Sequence, residues 1–535
     1  MKNSFGWIAL GMAVTACGGG GGGSGSGSAP PPPVAAAPEV KVMSGAITRY
    51  AAQNSSVSLA VQIKPSFTPT GTLVVSASDK AGVIGAQVSV SPATDGSYVL
   101  LLDTASSAAA GHHAGDITLK LCADQACATS QAVPSVTVPY DLTVLAAGSA
   151  WPGDRLSTLT PWAGAPEWST FQGNPAHTGY VPVTIQPDQM LPRWKSAAIS
   201  QASVSFYGYA ATLAAANGMF YGAGANVLKA RKEFDGSLVW SYDVSGLQFP
   251  SVNPPAVANG TVYMAAGQQS STYLFGFDAA SGAVRFKAAM QSQWENYLAP
   301  VALDDAVYTD SGSYGGLYAF TPTGDQLFVG KLAMASMWSP AVDATSVYVY
   351  DGTLHVFDRK TGKVLNEIKD LNYQNYTYQI NGAPVLGADG NVFVANYANA
   401  FLNGGTMGNQ LLKFNTAKGY LDWRIAGNYA LTPAYANGVL YVPNTNPYRI
   451  EARAEADGAL LWSWVPGQAA ETGWKAEPVV TGNLLFVSSN LATYAIDLQT
   501  HKPVWSYPAA GKLALSRSGI LYIQNEEAVA AFNLK

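Results

Sequence analysis

Residues that could perform metal or acid–base chemistry lie far apart in the sequence. His177, His355 and His501 fall in separate segments, and their spacing matches no metal-binding pattern. Adjacent carboxylates occur at Asp304 and Asp305 and again at residues 526–527, but no catalytic motif surrounds them. The sequence contains no GxSxG turn, phosphate-binding glycine loop or HExxH zinc motif. We therefore predict no catalytic residue, no metal ligand and no cofactor-binding residue.

The chain has three cysteines, at Cys17, Cys122 and Cys127. The spacing of Cys122 and Cys127 predicts a disulfide bond that closes a hairpin or loop in an oxidising compartment. Because the loop is short, the bond would add only about 2 kcal/mol of stability. The alternative is half of a metal site, but the chain has no second cysteine pair, and His112 and His113 stand nine or more residues away.

Residues 1–17 have the pattern of an export signal. Lys2 supplies positive charge, and residues 5–14 form an apolar run too short to span a bilayer. The run ends at VTAC, residues 14–17, which resembles the lipobox of bacterial lipoproteins. That resemblance implies that Cys17 is acylated and becomes the N-terminus, so that a lipid holds the protein to the membrane. An ordinary secretory signal with a chance cysteine is the alternative.

Residues 18–38, GGGGGGSGSGSAPPPPVAAAP, are predicted to be a linker. Its Gly/Ser part is a flexible coil and its Pro run is stiffer and extended, so the segment sets the distance between membrane and folded chain. Gly18 follows the cysteine, and resemblance to enterobacterial sorting implies the outer membrane, without indicating which side of it.

The length and composition point to an exported protein of several domains. A chain of 535 residues exceeds one ordinary core. Charged residues make up 12% and the net charge is −5, which argues against a nucleic-acid partner. Residues 39–146 alternate apolar and polar positions in short runs between turns, which predicts an antiparallel β-sandwich. This region resembles bacterial Ig-like modules, and residues 147–164 are predicted to be a second linker.

Residues 165–535 contain a repeat with a period of about 43 residues. In six of eight units a proline precedes a plain phrase such as NGVLYV (437–442), which contains an aromatic residue. The second half of a unit is an alternating strand, a glycine-containing turn and a strand that carries another aromatic residue. Four short strands per unit predict an eight-bladed β-propeller, so the fold class is all-β. Aspartates in the turns, such as Asp278, are expected to accept hydrogen bonds from turn N–H groups.

The eighth unit ends in its third strand, at residues 528–535. Upstream of the first unit, MLPRW (190–194) matches the template of a fourth strand, with Trp194 as its aromatic residue. We therefore predict that residues 189–196 complete the last blade and close the ring, which removes exposed sheet edges.

The repeat and the segment EWSTFQGNPAHTGY (167–180) resemble PQQ-like quinoprotein propeller repeats. They are similar to those of the outer-membrane protein assembly lipoproteins of the BamB type. The resemblance implies a non-catalytic envelope lipoprotein that binds a protein partner, with a role in outer-membrane protein assembly. The sandwich and the long linker depart from that pattern.

Two other functions remain open at this point. The PQQ-dependent alcohol dehydrogenases share the repeat, and in that family PQQ lies under a disulfide between adjacent cysteines beside a calcium ion. The predicted propeller contains no cysteine, which disfavours a PQQ-dependent oxidoreductase. The other alternative is a glycan-binding propeller.

Aromatic residues recur in the connections between units, which open on one face of a propeller. Tyr and Trp side chains there could anchor a peptide or a glycan, because they combine apolar area with a polar tip. The alternative is that they pack between blades or fill the channel. The predicted binding face comprises Trp294, Trp338, Tyr378, Tyr429 and Trp474.

Overall fold

The computed structural model separates residues Met1–Pro38 from one compact unit, Glu39–Lys535. It describes residues 37–535 except 55, 70, 94, 123, 125–126, 128–133, 147–150, 152–155, 200–211, 225, 245–250, 253, 269–270, 292–298, 312–314, 333–337, 372–379, 382, 399–409, 430 and 468–469. Cys17 and almost all of the 18–38 linker therefore lie outside the described residues. Within the described part, no helix has the length and apolar character needed to cross a membrane.

The first eight strands form two four-stranded sheets. They are β1 (Val40–Val42), β2 (Ile47–Ala52), β3 (Ser58–Pro65), β4 (Val74–Asp79), β5 (Ile84–Pro92), β6 (Tyr98–Thr104), β7 (Gly111–Cys122) and β8 (Val136–Leu145). The sheet orders are β1-β3-β6-β5 and β2-β8-β7-β4. Buried residues of both sheets share one core, which makes a β-sandwich. One pair departs from the antiparallel prediction, because β2 and β8 run parallel. Cys122 and Cys127 are bonded, as predicted.

The remaining strands form sheets that follow one another along the chain. Sheet 1 contains β10 (Leu213–Ala216), β11 (Met219–Gly224), β12 (Val227–Lys232) and β13 (Leu238–Asp243); sheet 2 contains β14 (Ser251–Val252), β15 (Ala256–Ala258), β16 (Thr261–Gln268), β17 (Ser271–Asp278) and β18 (Val284–Met290); sheet 3 contains β19 (Val301–Ala302), β20 (Val307–Asp310), β21 (Leu317–Phe320) and β22 (Gln326–Gly330); sheet 4 contains β23 (Ala341–Val342), β24 (Ser346–Tyr350), β25 (Thr353–Asp358) and β26 (Val364–Lys369).

Sheets 5 to 8 repeat the same arrangement. Sheet 5 contains β27 (Ile380–Asn381), β28 (Val385–Leu386), β29 (Asn391–Ala398), β30 (Gln410–Asn415) and β31 (Tyr420–Ala426); sheet 6 contains β32 (Ala434–Ala436), β33 (Val439–Thr445), β34 (Tyr448–Ala454) and β35 (Leu460–Trp464); sheet 7 contains β36 (Val479–Val480), β37 (Leu484–Ser488), β38 (Thr493–Asp497) and β39 (Pro503–Tyr507); sheet 8 contains β40 (Lys512–Leu515), β41 (Ile520–Gln524), β42 (Ala528–Asn533) and β9 (Leu191–Ala197). The first strand of sheet 1, β10, lies against β40 of sheet 8, so the sheets form the ring of a β-propeller.

Strand β9 closes the ring. It pairs antiparallel with β42, and Trp194 stands opposite Ala531. The predicted closing segment, 189–196, is therefore confirmed apart from a shift of one or two residues at its ends. The last sheet takes one strand from before the first sheet and three from the end of the chain.

The repeated NG phrase is the turn between the first and second strands of a sheet. Asn217 and Gly218 have φ of 54° and 76°, and Asn437 and Gly438 have φ of 51° and 78°. Positive φ at both central residues defines a type I′ hairpin turn, which asparagine and glycine tolerate best. The same pair of positive φ values occurs at residues 259–260 and 389–390, so the phrase recurs because sheets 1, 2, 5 and 6 use this turn at the same place.

Neighbouring sheets are joined by an aromatic ring that packs on a turn glycine. A Cβ on Gly282 of sheet 2 would stand 2.6 Å from the Trp240 ring of sheet 1. Trp240 Nε1 and the Tyr221 hydroxyl both donate to the Ala279 carbonyl of that turn, at 3.0 and 3.3 Å. We call this contact the ring–turn joint.

The ring–turn joint recurs around the propeller, including the closing position. Trp194 of β9 packs on Gly236 of sheet 1, and its Nε1 donates to the Glu233 carbonyl at 2.8 Å. In sheet 7, His501 occupies the glycine position with φ of 58°, and its ring stacks on Trp462 at 4.5 Å between centroids. The joint therefore needs a flat surface under the aromatic ring, which a glycine or a stacked imidazole can supply.

Residues 167–185, which we call the plug segment, cross the inner strands of seven sheets in order. Backbone or hydroxyl hydrogen bonds join Trp168 to Ala215, Ser169 to Val257, Thr170 to Pro300, Pro175 to Val342, Ala176 to Leu386, Thr178 to Tyr435 and Gly179 to Val480. The prediction had identified this sequence only as a family motif. Its contacts show that it fills the ring and holds the inner strands together.

His177 is the buried centre of the plug segment. Its Nδ1 lies 3.0 Å from the Pro384 carbonyl, and its Nε2 lies 3.3 Å from the Ser339 hydroxyl. Burial lowers the pKa of His177 to about 4, so the ring is neutral at physiological pH. This histidine is a structural link between the plug segment and sheets 4 and 5.

The ring–turn joint predicts different effects for two glycines of sheet 2. Gly260→Ala carries only the backbone strain of φ +69°, about 1–2 kcal/mol, because nothing lies within 4 Å of the new Cβ. Gly282→Ala has a similar φ, +75°, but also drives a methyl group into Trp240, which should add about 1–3 kcal/mol. Urea unfolding of both variants checks this, and equal destabilisation would show that the joint contributes nothing.

Candidate functional site

The structure corrects two members of the predicted aromatic face. Trp338 and Tyr429 are each 0% exposed, so neither ring can contact a ligand. Trp338 belongs to a core shared with Tyr308 and Tyr348, and the Tyr429 hydroxyl donates to Glu451 at 2.9 Å. Both residues therefore pack inside the fold, which was the alternative to a place on the binding face. Trp294 and Tyr378 lie outside the described residues.

Trp474 lies in the wall of a cleft between sheets 7 and 8. The cleft has a volume of about 650 Å³. Its lining comes mainly from the connections before sheets 7 and 8, the turns between the second and third strands of both sheets, and β9, with Leu431 from the connection before sheet 6. This is the end of the ring that the prediction expected to be elaborated. We call it the 7/8 cleft.

A buried ionic network fixes Trp474. Its ring stacks on Tyr448 at 4.5 Å between centroids, and its Nε1 donates to the Asn444 carbonyl at 3.0 Å. Asn444 donates to the fully buried Glu451 at 3.1 Å, and Arg449 does so at 2.7 Å. Burial would raise the pKa of Glu451, but the arginine and asparagine hydrogen bonds outweigh it and lower the pKa. The wall is therefore held by a carboxylate whose ionised form these hydrogen bonds favour.

The other walls are fixed by amide side chains. Asn490 accepts from the N–H groups of Thr472 and Gly473, at 2.9 and 3.3 Å, and so ties the connection before sheet 7 to a turn of that sheet. Asn525 donates to the Ala510 carbonyl at 2.9 Å. These walls of the cleft are therefore held in place by hydrogen bonds within the chain.

The lining of the 7/8 cleft combines apolar, cationic and anionic groups. Leu491 is 40% exposed and Tyr507 is half-buried. The cations are Lys195, Lys475 and Lys512, and the anions are Glu526 and Glu527. Lys512 is already paired with Glu477 at 3.0 Å. Such a mixture suits recognition of a polypeptide, which offers apolar side chains, amides and both charges.

Of the scattered titratable residues, the structure brings residues 526–527 to the cleft but not the histidines or the pair Asp304 and Asp305. His355 lies on β25 between Asp351 and Glu367, at 2.9 and 3.1 Å. Hydrogen bonds and charge from these carboxylates outweigh burial and raise the pKa of His355. Asp278 accepts from the Ser281 N–H at 2.8 Å, so the predicted turn role is confirmed there.

The described residues do not fit the cofactor site of the PQQ-dependent alternative. In the described part of the chain, no three His, Cys, Asp or Glu side chains are grouped so that they could hold a metal ion. The propeller sequence has no cysteine for the disulfide that covers PQQ in that family. Phe171, Gln172 and His177 of the plug segment are buried among the inner strands.

The pairing of distant elements explains why the sequence did not reveal the cleft. Lys195, Trp474, Asn490, Lys512 and Asn525 come together only because sheets 7 and 8 are neighbours and β9 returns to sheet 8. The one available signal was the aromatic residue in the connection before sheet 7, which the prediction did use.

Comparison with known proteins gave one curated relative and many structures. Tetrathionate hydrolase from Acidithiobacillus ferrooxidans is 23% identical over 459 residues, which cover 75% of this chain and 84% of that protein. The solved structures include apo AztD from Citrobacter koseri, with a TM-score of 0.40 and 11% identity over 61% of this chain and 90% of that one. The Dos1 propeller has a TM-score of 0.35 and 10% identity over 63% of this chain and 82% of that one.

A family model described as outer membrane protein assembly factor BamB matches residues 192–464 and 401–519. These matches cover more than half of the chain and all the sheets of the ring, apart from the last strands of sheet 8. The chain thus belongs to the PQQ-like β-propeller family of the outer membrane protein assembly factor BamB.

Proposed function

We propose that this protein is a non-catalytic cell-envelope lipoprotein whose β-propeller is a protein–protein interaction scaffold. The observation that carries the proposal is the 7/8 cleft, with rigid walls and a lining of mixed chemistry. Family membership supports a partner in outer-membrane protein assembly. In this proposal the lipid on Cys17 holds the propeller at the outer membrane, and the partner inserts a segment between sheets 7 and 8.

The accessibility of the side chains in and near the cleft favours a peptide over a glycan as the ligand. Trp474 has one face on Tyr448 and its N–H bonded to the backbone, so its ring is only partly available for stacking on a sugar. Trp338 and Tyr429 are buried and cannot extend an aromatic platform. Leu491 instead projects from a turn as an exposed apolar anchor beside Lys475, which a peptide side chain and carboxylate could contact.

Photo-crosslinking in the native envelope tests the scaffold proposal. A crosslinking residue at Lys475 should capture a component of the outer-membrane assembly machinery. The same residue at Lys360 should not, because that exposed turn between third and fourth strands lies at the opposite end of the sheets. Adding Leu491→Asp should cut capture from position 475 about tenfold or more, as loss of an interface anchor does. Equal capture from both positions, or indifference to Leu491→Asp, would refute the proposal.

Membrane attachment has a separate test. Cys17→Ser should abolish incorporation of labelled palmitate and release the propeller from the membrane fraction, because acyl chains supply the anchoring free energy. Cys122→Ser is the matched control and should stay labelled. A Cys17→Ser protein that still pellets with membranes and still carries label would contradict the lipoprotein assignment.

Hydrolysis is the second candidate function. Similarity over 84% of tetrathionate hydrolase favours it, and Lys195 and Lys475 could attract a dianion to the 7/8 cleft. We expect purified protein to leave tetrathionate unchanged by ion chromatography between pH 3 and 8. Consumption of tetrathionate that depends on these two lysines would replace the scaffold proposal with a hydrolase.

A further inference from the structure

The closing joint differs from the other ring–turn joints in carrying a buried carboxyl group. In the joint between sheets 1 and 2, the Tyr221 hydroxyl donates to a backbone carbonyl, that of Ala279. In the joint between sheets 8 and 1, the corresponding hydroxyl, that of Tyr522, donates instead to Glu233 Oε1 at 2.8 Å. The Ser518 hydroxyl donates to Oε2 at 2.7 Å.

Glu233 joins the two ends of the ring. It belongs to the turn of sheet 1, while Tyr522 and Ser518 belong to sheet 8. Its backbone carbonyl accepts from Trp194 of the closing strand β9. The side chain is 1% exposed and Tyr522 is 0% exposed, so the carboxyl group has little access to water. This one residue therefore contacts both sides of the seam from a buried position.

The charges around the carboxyl group are mixed. Arg193 of β9 lies nearby and donates to the carbonyls of Phe234 and Ser157 and to Asn533 Oδ1, at 2.9, 2.8 and 3.0 Å. Glu167 lies on the plug segment, where it faces Arg517 at 3.8 Å. The titratable groups that face Glu233 or its joint are Tyr522 and Arg517 from sheet 8, Arg193 from β9, Glu167 from the plug segment, and Tyr221 and Asp235 from sheet 1.

Burial, assisted by the negative charge of Glu167, raises the pKa of Glu233. Hydrogen bonds from Ser518 and Tyr522 act in the opposite direction without cancelling it. A carboxyl group whose pKa is higher in the folded than in the unfolded chain stabilises the fold most below its unfolded value, near 4.5, and this stabilisation is lost as the pH rises through the folded value.

We propose that Glu233 is a proton-controlled latch, which holds β9 and sheet 8 against sheet 1 when it is protonated and loosens the seam when it ionises. An envelope protein experiences the acidity of its surroundings, so the latch would tighten the propeller in acid. Because β9 and sheet 8 form one wall of the 7/8 cleft, loosening would also reach the partner site.

Hydrogen exchange of the full-length protein tests the latch. The readout is the protection factor of the amides in residues 191–197, measured from pH 4.5 to 8 in wild type and in Glu233→Gln, a neutral substitute of the same shape. Burial lowers the pKa of His177 from 6.5 to about 4, which also makes stability depend on pH in this range, so the two proteins are compared as a ratio at each pH. The ratio of Glu233→Gln to wild type should be near 1 at pH 4.5. It should rise by up to about tenfold per pH unit until the carboxyl group is ionised.

Two further variants keep the test decisive. Tyr522→Phe removes a hydrogen bond to the ionised form, so the loss of protection should extend to higher pH than in wild type. Glu455→Gln is the matched control, because Glu455 also accepts from a tyrosine, Tyr435, at 2.7 Å but in a partly exposed joint. It should leave residues 191–197 unchanged. The latch would be overturned by a ratio of protection factors, Glu233→Gln to wild type, that does not change with pH, or by less protection in Glu233→Gln than in wild type at pH 7. If the glutamine variant does not fold, a Tyr522→Phe protein with the same pH dependence of protection as wild type would overturn it.

Discussion

The contact of an aromatic ring with a turn glycine is the interaction on which the rest of the structure depends. A four-stranded sheet cannot bury both of its faces alone, and ringed sheets solve this by covering one another. The ring–turn joint sets how closely two sheets approach, because the missing Cβ of Gly282 or Gly236 is the space that Trp240 or Trp194 occupies. In the joints of Trp240 and Trp194 the indole N–H also donates to a turn carbonyl. In these joints one tryptophan thus both packs against the turn and supplies a hydrogen bond to its backbone.

This constraint explains which parts of the fold could be predicted. The NG-type turns of sheets 1, 2, 5 and 6 and the spaced aromatic residues are local requirements of the sheets that carry them, so they repeat visibly in the sequence. The closing strand could be recognised because Trp194 must meet the same requirement as the other outer-strand aromatics. The parallel pairing of β2 and β8 left no such signal, since alternation of apolar residues does not report strand direction.

The candidate site was predictable only in part. An aromatic residue in a connection can lie on the surface or under it, and the sequence around Trp338, Tyr429 and Trp474 does not separate these cases. Contacts with residues elsewhere in the chain decide the position of these side chains. The Tyr429 hydroxyl donates to Glu451, while Tyr448 and Asn444 hold Trp474 at the edge of the cleft. The plug segment was equally hidden, because its hydrogen bonds reach seven sheets spread over the chain.

Ring, plug and cleft together describe a rigid platform with one seam. The plug segment ties the inner strands, the ring–turn joints tie the outer parts, and the sandwich strand β3 lies against β39 of sheet 7 beside the cleft. A rigid platform suits recognition of a partner, since little conformational freedom is lost when the partner binds. The seam at β9 is the place where such a platform can respond to its surroundings.

A double-mutant cycle across the seam tests most directly whether β9 closes the ring by the same contact that joins the other sheets. Trp194→Ala, Gly236→Ala and their combination would be compared with the internal pair Trp240→Ala and Gly282→Ala by urea unfolding. The account predicts that both pairs are strongly non-additive, with coupling free energies of about 1–3 kcal/mol that agree within about 0.5 kcal/mol. Additive effects at Trp194 and Gly236, beside clear coupling at the internal pair, would contradict it.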